Sequence, residues 1–273
     1  MKTVLFVESG SGNGGSATCL ANLVRGLDRR RLRPIVAYYA EGVGIRRIRE
    51  SGIETVPLRR GRRTWRLIRL IRQEQVRLIH NNNELYSQVP ALLASALTGV
   101  PCICTLRATR ALTRRERIWV PFVRRFIAVS EATRQAYEQA GIPRHRIQTV
   151  LDGIDLQRFT PVSCDGKTQT GLALDAQRLT VGLVSRLVPE KGIREFLGAA
   201  RRIVDEWPAV QFVIVGGDPS PDGRYIREWK MLTDQLRLTD RVFFAGWRVD
   251  VEAITPCFDV AVQASKYLSL IHI

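Results

Sequence analysis

The feature that most constrains the fold is a repeated alternation between short apolar runs and segments whose apolar residues recur at helical spacing. The first pair is the apolar run Thr3–Val7 and the helical segment Ala17–Leu27, joined by a glycine-rich loop. The same order recurs as far as Gly141, with further helices expected at Tyr86–Leu97 and Arg114–Val123 among others. Its apolar runs lack polar alternation, which is typical of strands covered on both faces. We therefore predict an α/β fold built on a doubly wound parallel sheet.

A polar, turn-rich stretch from Leu151 to Ala176 interrupts the alternation, which then restarts at Leu179–Val184. Three or four further strands are recognisable, where a doubly wound sheet usually has five or six. We predict two Rossmann-like doubly wound domains, the second incomplete, at residues 1–155 and 177–267, with a linker at residues 156–176. Ligands of such sheets bind at the carboxyl ends of the strands, so we expect a cleft between the two domains.

Charge is distributed unevenly along the chain. Its formal net charge is +16, but residues 1–150 carry +17 and the remainder −1. A hydrophobic fraction of 45% excludes general disorder. We find neither a signal peptide nor a membrane span in the sequence and predict a cytoplasmic protein that touches the inner face of the membrane.

Four glycines lie in the loop between the first strand and the first helix, at positions 10, 12, 14 and 15. They match neither the dinucleotide-binding GxGxxG motif nor the GxxxxGK[ST] phosphate-binding loop. Backbone N–H groups at Gly14 and Gly15 could approach an anion or a sugar oxygen, and a tight turn without a ligand is the alternative.

Two fixed cations, Arg186 and Lys191, lie in the segment SRLVPEKG between a strand and a helix. Such a pair beside a helix N-terminus suits a diphosphate and could stabilise it as a leaving group, and two solvated surface charges are the alternative. The next strand ends at Gly216 and Gly217, where the backbone could approach a nucleotide or simply turn.

Polar residues follow two further strands of the first domain. His80 ends a strand and precedes Asn81, Asn82 and Asn83, a polar cluster at a sheet edge that could bind substrate hydroxyl groups. Ser130 and Glu131 begin a helix, where capping explains them without any function and a role in the cleft is the alternative. The sequence contains no HExxH or GxSxG motif, and we expect no metal and no cofactor.

Two arginine-rich runs, Arg59–Gln73 and Thr113–Arg125, account for much of the basic charge. In the first run, helical spacing places four arginines mostly on one side, Arg62, Arg66, Arg69 and Arg72. Trp65, Ile68 and Ile71 are expected beside them. A basic amphipathic helix could lie on an anionic membrane, and a solvated face with Ile and Leu packed inward is equally consistent. No recognition motif or aromatic platform supports binding of nucleic acid, and we expect none.

Together these segments resemble glycosyltransferase family 4, whose members have the GT-B fold. SRLVPEKGIREFLGAA is similar to the family's GRLxxxKGxxxLIxA signature, with Ser185 in place of Gly. FVIVGGDP, RVFFAGWRVDV and FDVAVQAS follow in the family's order. In the first domain, GNGGSAT, FIAVSEAT and LDGIDLQRF resemble its GG, VSE and NGID segments, with Asp152 in place of Asn.

The resemblance implies a retaining, metal-independent transferase that uses a UDP- or GDP-sugar. Its second domain would bind the donor through Arg186, Lys191, Gly216 and Gly217. Its first domain would bind the acceptor near Gly14, Gly15, Asn81, Asn82, Ser130 and Glu131. Arg107 would contribute to catalysis, as in a subgroup with an HxR segment, although Thr105 replaces that subgroup's His.

The sequence departs from the family near residue 268. No E-x7-E segment, which binds donor hydroxyls in the family, follows the strand at Phe258–Val262. Residues 268–273, LSLIHI, are the translation of a transposon mosaic-end adapter used in sequencing libraries, so we expect adapter read-through there. We accordingly expect residues 1–273 to be inactive or very weak as an enzyme.

Three functions are therefore open. The favoured one is sugar transfer to a lipid-linked or cell-surface glycan, as in polysaccharide biosynthesis. The alternative is a non-catalytic protein of the same fold that binds a nucleotide sugar or another anion. A nucleic-acid-binding protein driven by the basic half is the third.

Overall fold

The computed structural model describes residues 1–10, 12, 14–160, 171–172 and 174–266. Their contacts define two compact units, Met1–Asp155 and Leu156–Tyr267. Residues 161–170 and 173 of the expected linker, and the expected read-through at 268–273, lie outside the described residues.

The first unit is built on a parallel sheet. Its strands are β1 (Lys2–Glu8), β2 (Leu32–Tyr38), β3 (Glu54–Pro57), β4 (Val76–Asn81), β5 (Cys102–Leu106), β6 (Arg125–Ala128) and β7 (Ile147–Thr149). Within the described residues they are ordered β3-β2-β1-β4-β5-β6-β7. The direction of winding reverses between β1 and β4, where Phe6 pairs with His80 and Val7 with Asn81. Such a reversal opens a crevice at the carboxyl edge of a sheet.

Helices cover this sheet from two sides. They are α1 (Gly15–Arg25), α2 (Val43–Glu50), α3 (Arg63–Gln73), α4 (Val89–Thr98), α5 (Arg114–Arg117) and α6 (Glu131–Gln139). Phe6 packs with Leu20 of α1 and Ile45 of α2, whereas Leu5 belongs to a separate core cluster with Leu67 of α3. Successive strand residues thus serve opposite faces, as the pleat requires.

Three local predictions differ from the structure. The helix expected at residues 114–123 ends at Arg117 and is followed by a 3₁₀ turn, Val120–Phe122. Pro121 lacks a backbone N–H and restricts the residue before it, so the helix cannot continue. The helix expected at residues 86–97 begins only at Val89, with Pro90 in its first turn. Strand β7 was not predicted because it is only three residues long.

The second unit has its own parallel sheet. Its strands are β8 (Leu179–Val184), β9 (Val210–Val215), β10 (Val242–Gly246) and β11 (Val260–Val262), ordered β10-β9-β8-β11 in the described residues. Its helices are α7 (Ile193–Glu206), α8 (Arg224–Gln235) and α9 (Val251–Ile254). Phe196, Phe212 and Trp229 are central to its core. The predicted α/β class, with Rossmann-like parallel sheets, is confirmed.

No helix in the described part of the chain combines the length and the apolar character needed to cross a bilayer.

Candidate functional site

Glu8 ends β1 at the point where the winding reverses, and it is fully buried. Its carboxyl oxygens accept hydrogen bonds from the side-chain amides of Asn82 at 2.5 Å and Asn83 at 2.7 Å. They also accept one from the backbone N–H of Gly10 at 2.7 Å. Glu8 therefore joins the turn after β4 to the glycine-rich loop. Our sequence analysis missed it, although an acidic residue directly after an apolar run was the available signal.

Arg107, predicted to be catalytic, is buried just beyond the end of β5. Its guanidinium group donates to Asp152 Oδ2 at 2.6 Å and to Asn82 Oδ1 at 2.9 Å, and its Nε donates to the Asn82 carbonyl at 3.0 Å. Its backbone N–H donates to Glu84 Oε1 at 3.0 Å. The guanidinium donors are thus directed at protein groups, and Asp152 presents a carboxylate held by a buried cation.

Asn81 and Asn82 were both expected near the acceptor, but their side chains are separated. The Asn81 amide lies beside Cys102, with Nδ2 at 3.3 Å from Sγ, whereas Asn82 contacts Glu8 and Arg107. Consecutive residues at the end of a strand point to opposite faces of the sheet. We call Glu8, Asn82, Asn83, Arg107 and Asp152 the polar group around Glu8. Asn81 does not belong to it.

His80 forms a buried hydrogen bond with the Thr105 hydroxyl, with 2.8 Å between Nε2 and Oγ1. Burial lowers the pKa of His80 from its ordinary 6.5 to about 4, and the nearby charge of Arg107 acts in the same direction. His80 is therefore neutral at neutral pH, and a proton on the ring would be costly.

The glycine-rich loop contains glycines with different roles. Gly12 has φ +74°, and a Cβ there would lie 2.7 Å from the Ala40 carbonyl oxygen, so packing explains it. Gly14 caps α1 without a side-chain hydrogen bond, and a Cβ on it would have nothing within 4 Å. The backbone at Gly14 is thus a part of this loop with room for a ligand.

Ser130 and Glu131 begin α6 with the capping contacts expected of them. The Ser130 hydroxyl accepts a hydrogen bond from the Thr133 N–H at 3.0 Å. Glu131 is exposed and accepts hydrogen bonds from Arg134 and from the Thr149 hydroxyl. Hydrogen bonds, chiefly from Arg134, lower the pKa of Glu131 to about 2. These contacts account for both residues within the protein.

A trough of about 770 Å³ runs along the side of the first sheet that carries α1. Half-buried Leu78, Ile103 and Ile127 project into it from β4, β5 and β6. Arg107 and Asp152 line its polar end, at the carboxyl edge of the sheet. The polar group around Glu8 is therefore continuous with an open apolar surface, which we call the trough.

In the second unit, Arg186 and Lys191 lie between β8 and α7. Arg186 is exposed, and its guanidinium is 3.8 Å from the Glu190 carboxylate, beyond hydrogen-bond distance. Lys191 is half-buried and forms no ion pair with any other described residue. Gly192 caps α7 with φ +71° and no side-chain hydrogen bond. Two cations and the N–H groups of a 14-residue helix thus share one loop, which suits an anion.

Gly216 and Gly217 bring the next loop against this one. Gly216 has φ +152°, and a Cβ there would lie 1.7 Å from the Ser185 carbonyl oxygen. The Leu187 N–H donates to the Gly217 carbonyl at 3.0 Å. A Cβ on Gly192 would likewise lie 1.9 Å from the Ala264 carbonyl oxygen. All four predicted donor-site residues thus lie on adjoining loops at the carboxyl edge of the second sheet.

The residues described include no group of three His, Cys, Asp or Glu side chains that could hold a metal ion.

Two family models match the chain in sequence. The model described as Glycosyltransferase Family 4 matches residues 13–158, which is more than half of the chain. The model described as Glycosyl transferases group 1 matches residues 178–271.

Individual relatives agree with these matches. The chain is 27% identical to a putative glycosyltransferase, EpsF, of Bacillus subtilis, over 98% of this chain and 74% of the relative. It is 24% identical to the lipopolysaccharide core biosynthesis mannosyltransferase LpsB of Rhizobium meliloti, over 58% of this chain and 45% of LpsB. Among solved structures, Anabaena Alr3699/HepE in complex with UDP and glucose is similar in fold, with a TM-score of 0.83 and 22% identity. That match covers 97% of this chain and 74% of the Anabaena chain.

Proposed function

The chain belongs to glycosyltransferase family 4, and we propose that it transfers a sugar from UDP to a lipid-linked or cell-surface glycan, with retention of configuration. Glycosyl transfer is the activity named by both family models and by the relatives. We further propose that the donor nucleotide is UDP, because UDP is bound in the similar Anabaena structure. The glycan acceptor is supported by the name of the Rhizobium relative.

The observation that carries the proposal is the cationic loop between β8 and α7. Arg186 and Lys191 lie beside the N-terminus of α7, which receives no side-chain hydrogen bond, and Gly216 and Gly217 approach them from the neighbouring loop. We propose that this loop binds the donor diphosphate. As the bond to the sugar breaks, negative charge grows on the diphosphate, and fixed cations stabilise that charge without having to reorganise.

The polar group of the first unit is the proposed acceptor site. Asp152 presents a carboxylate at the carboxyl edge of the sheet, where it can accept a hydrogen bond from an acceptor hydroxyl. Arg107 holds this carboxylate from the buried side, so we propose that Arg107 positions Asp152. Gly14 and Gly15 offer backbone N–H groups beside the same group.

We also propose that the protein is cytoplasmic and lies at the inner face of the membrane.

Isothermal titration with UDP tests the donor site. We expect R186A and K191A each to raise the Kd for UDP about 10-fold or more, because each removes a charge-assisted contact. The control is R194A, an exposed arginine on α7 paired with Glu228, which should leave the Kd within about threefold. Unchanged UDP binding in both loop variants would refute this site.

The genomic sequence downstream of codon 267 distinguishes the transferase from the non-catalytic alternative, a protein of the same fold that only binds a nucleotide sugar. An E-x7-E segment there would support the transferase. A stop codon directly after Ile273 would support a protein that binds a nucleotide sugar without transferring it.

A further inference from the structure

One side of the first unit carries a layer of basic helices. Helix α3 packs beside α4, and α4 packs against the 3₁₀ turn that follows α5. Arg62, Arg66 and Arg69 are exposed on α3 or at its start, and Arg114, Arg115 and Arg117 are exposed on α5. We call these six arginines and the exposed apolar residues between them the basic surface.

Few acidic residues are available to neutralise this surface. Between Arg59 and Arg125 the chain contains only three, Glu74, Glu84 and Glu116. Glu74 pairs with Arg33, Glu84 is buried beside Arg107, and Glu116 is buried in a pair with Arg110. The six arginines form no ion pair or side-chain hydrogen bond with any other residue that the structure describes. Their charge therefore faces solvent without compensation.

Large apolar side chains are exposed on the same packed elements as these arginines. Trp65 on α3 is 71% exposed, Ile118 after α5 is 66% exposed and Leu97 on α4 is 63% exposed. Ile68 and Ile71, expected beside the arginines, are instead packed in the core with Leu67. The helix does not offer a whole apolar face, but single apolar side chains standing among arginines can enter the interface of a bilayer.

We propose that the basic surface docks on an anionic phospholipid bilayer. The six arginines attract the anionic headgroups, and Trp65 and Ile118 add apolar burial. Exposed Trp65 and Ile118 suit the interface of a bilayer, whereas the sequence offers no recognition motif or aromatic platform for a nucleic acid, which favours a bilayer. The segment that joins β5 to α5 begins at Arg107, which belongs to the polar group around Glu8. A docked protein would meet a lipid-linked acceptor at the membrane, and this part of the proposal rests on the proposed function.

Co-sedimentation with vesicles tests the docking. We expect the full chain to bind vesicles of phosphatidylcholine with about 30% phosphatidylglycerol, to ignore pure phosphatidylcholine, and to be released by about 0.5 M salt. R62E/R66E/R69E should lower the bound fraction at least about 10-fold, and W65A should lower it severalfold.

The matched control is R29E/R30E/R31E, which makes the same charge change in the loop before β2, at the amino edge of the sheet. It should retain binding within about threefold. Equal loss in both triple variants, or equal binding to the two kinds of vesicle, would overturn the proposal. So would tight binding to a DNA duplex with none to vesicles. Circular dichroism checks folding, and UDP titration of the same variants separates a failure of docking from a failure of the donor site.

Discussion

A buried carboxyl group surrounded by donors organises the first unit at the scale of single residues. Glu8 contacts two asparagine side chains and the backbone of the glycine-rich loop, and water does not reach it. Buried polar groups are most costly when one partner is removed and the other stays. The proposed acceptor site should therefore depend on Glu8 even though Glu8 itself is not exposed.

Glu8→Gln tests this dependence. Glutamine turns one acceptor oxygen into a donor amide, which would face the amides of Asn82 and Asn83. We expect the free energy of unfolding to fall by about 1–3 kcal/mol in urea at pH 7. Glu74→Gln, which removes a more exposed pair with Arg33, should cost less than about 1 kcal/mol. Similar small losses in both variants would contradict the role given to Glu8.

His80 makes stability depend on pH. Its pKa is about 4 in the folded protein against an ordinary 6.5, so the unfolded chain takes up the proton first. Stability from His80 is complete above pH 6.5, falls as the pH drops from 6.5 to 4, and then levels off. Between pH 7 and 5 the expected loss is about 2 kcal/mol.

His80→Gln keeps a polar partner for Thr105 but cannot titrate. Urea unfolding at pH 7 and 5 should therefore show a smaller loss in the variant than in the original protein. An identical loss in both would assign the acid sensitivity to other groups.

At the scale of elements, the backbone geometry of the turns determines how the loops of the donor site pack together. Gly216 allows the loop after β9 to lie against the loop after β8, and its φ of +152° belongs to a region that side chains rarely adopt. The donor loops are therefore held together by backbone contacts rather than by side chains.

Gly216→Ala should disturb these loops. Its Cβ would meet a backbone carbonyl at 1.7 Å, which neither loop can accommodate without moving. We expect the variant to lose at least about 2 kcal/mol of stability and to bind UDP more weakly. Gly198→Ala, in the open on α7, should instead gain up to about 1 kcal/mol. Thermal unfolding and UDP titration measure both, and a harmless Gly216→Ala would contradict the packing described.

Elements were predictable from the sequence to the extent that local periodicity determines them. The long alternation gave the order of strands and helices, because each strand is a short apolar run. The ends near Pro90 and Pro121 were missed, since periodicity takes no account of a missing N–H. The partners of Glu8 and Asp152 could not be predicted, because they depend on which strands become neighbours. Asn81 was grouped with Asn82 because spacing alone does not show which face a residue takes.

Charge acts at the scale of the whole molecule. Residues 1–150 carry +17, and the arginines of the basic surface are uncompensated. Mutual repulsion of like charges destabilises a compact state, and salt screens it. Raising the salt concentration from about 0.01 M to about 0.15 M shortens the Debye length from about 30 Å to about 8 Å.

We therefore expect the melting temperature to rise by a few degrees over this range of salt. R62E/R66E/R69E should show a smaller rise, because it removes much of the repulsion. Circular dichroism at both salt concentrations measures the effect, and a melting temperature that is flat or falls with salt would contradict it.

The trough has a consequence for how copies of this polypeptide behave in solution. Because the trough is open, apolar and about 770 Å³ in volume, we expect it to bind hydrophobic fluorescent dyes and to associate with the trough of another copy. At low ionic strength the large positive charge keeps the copies apart. Salt screens this repulsion between copies. The salt concentration that raises the stability of each molecule should therefore also promote self-association, which is measured as an increase in light scattering.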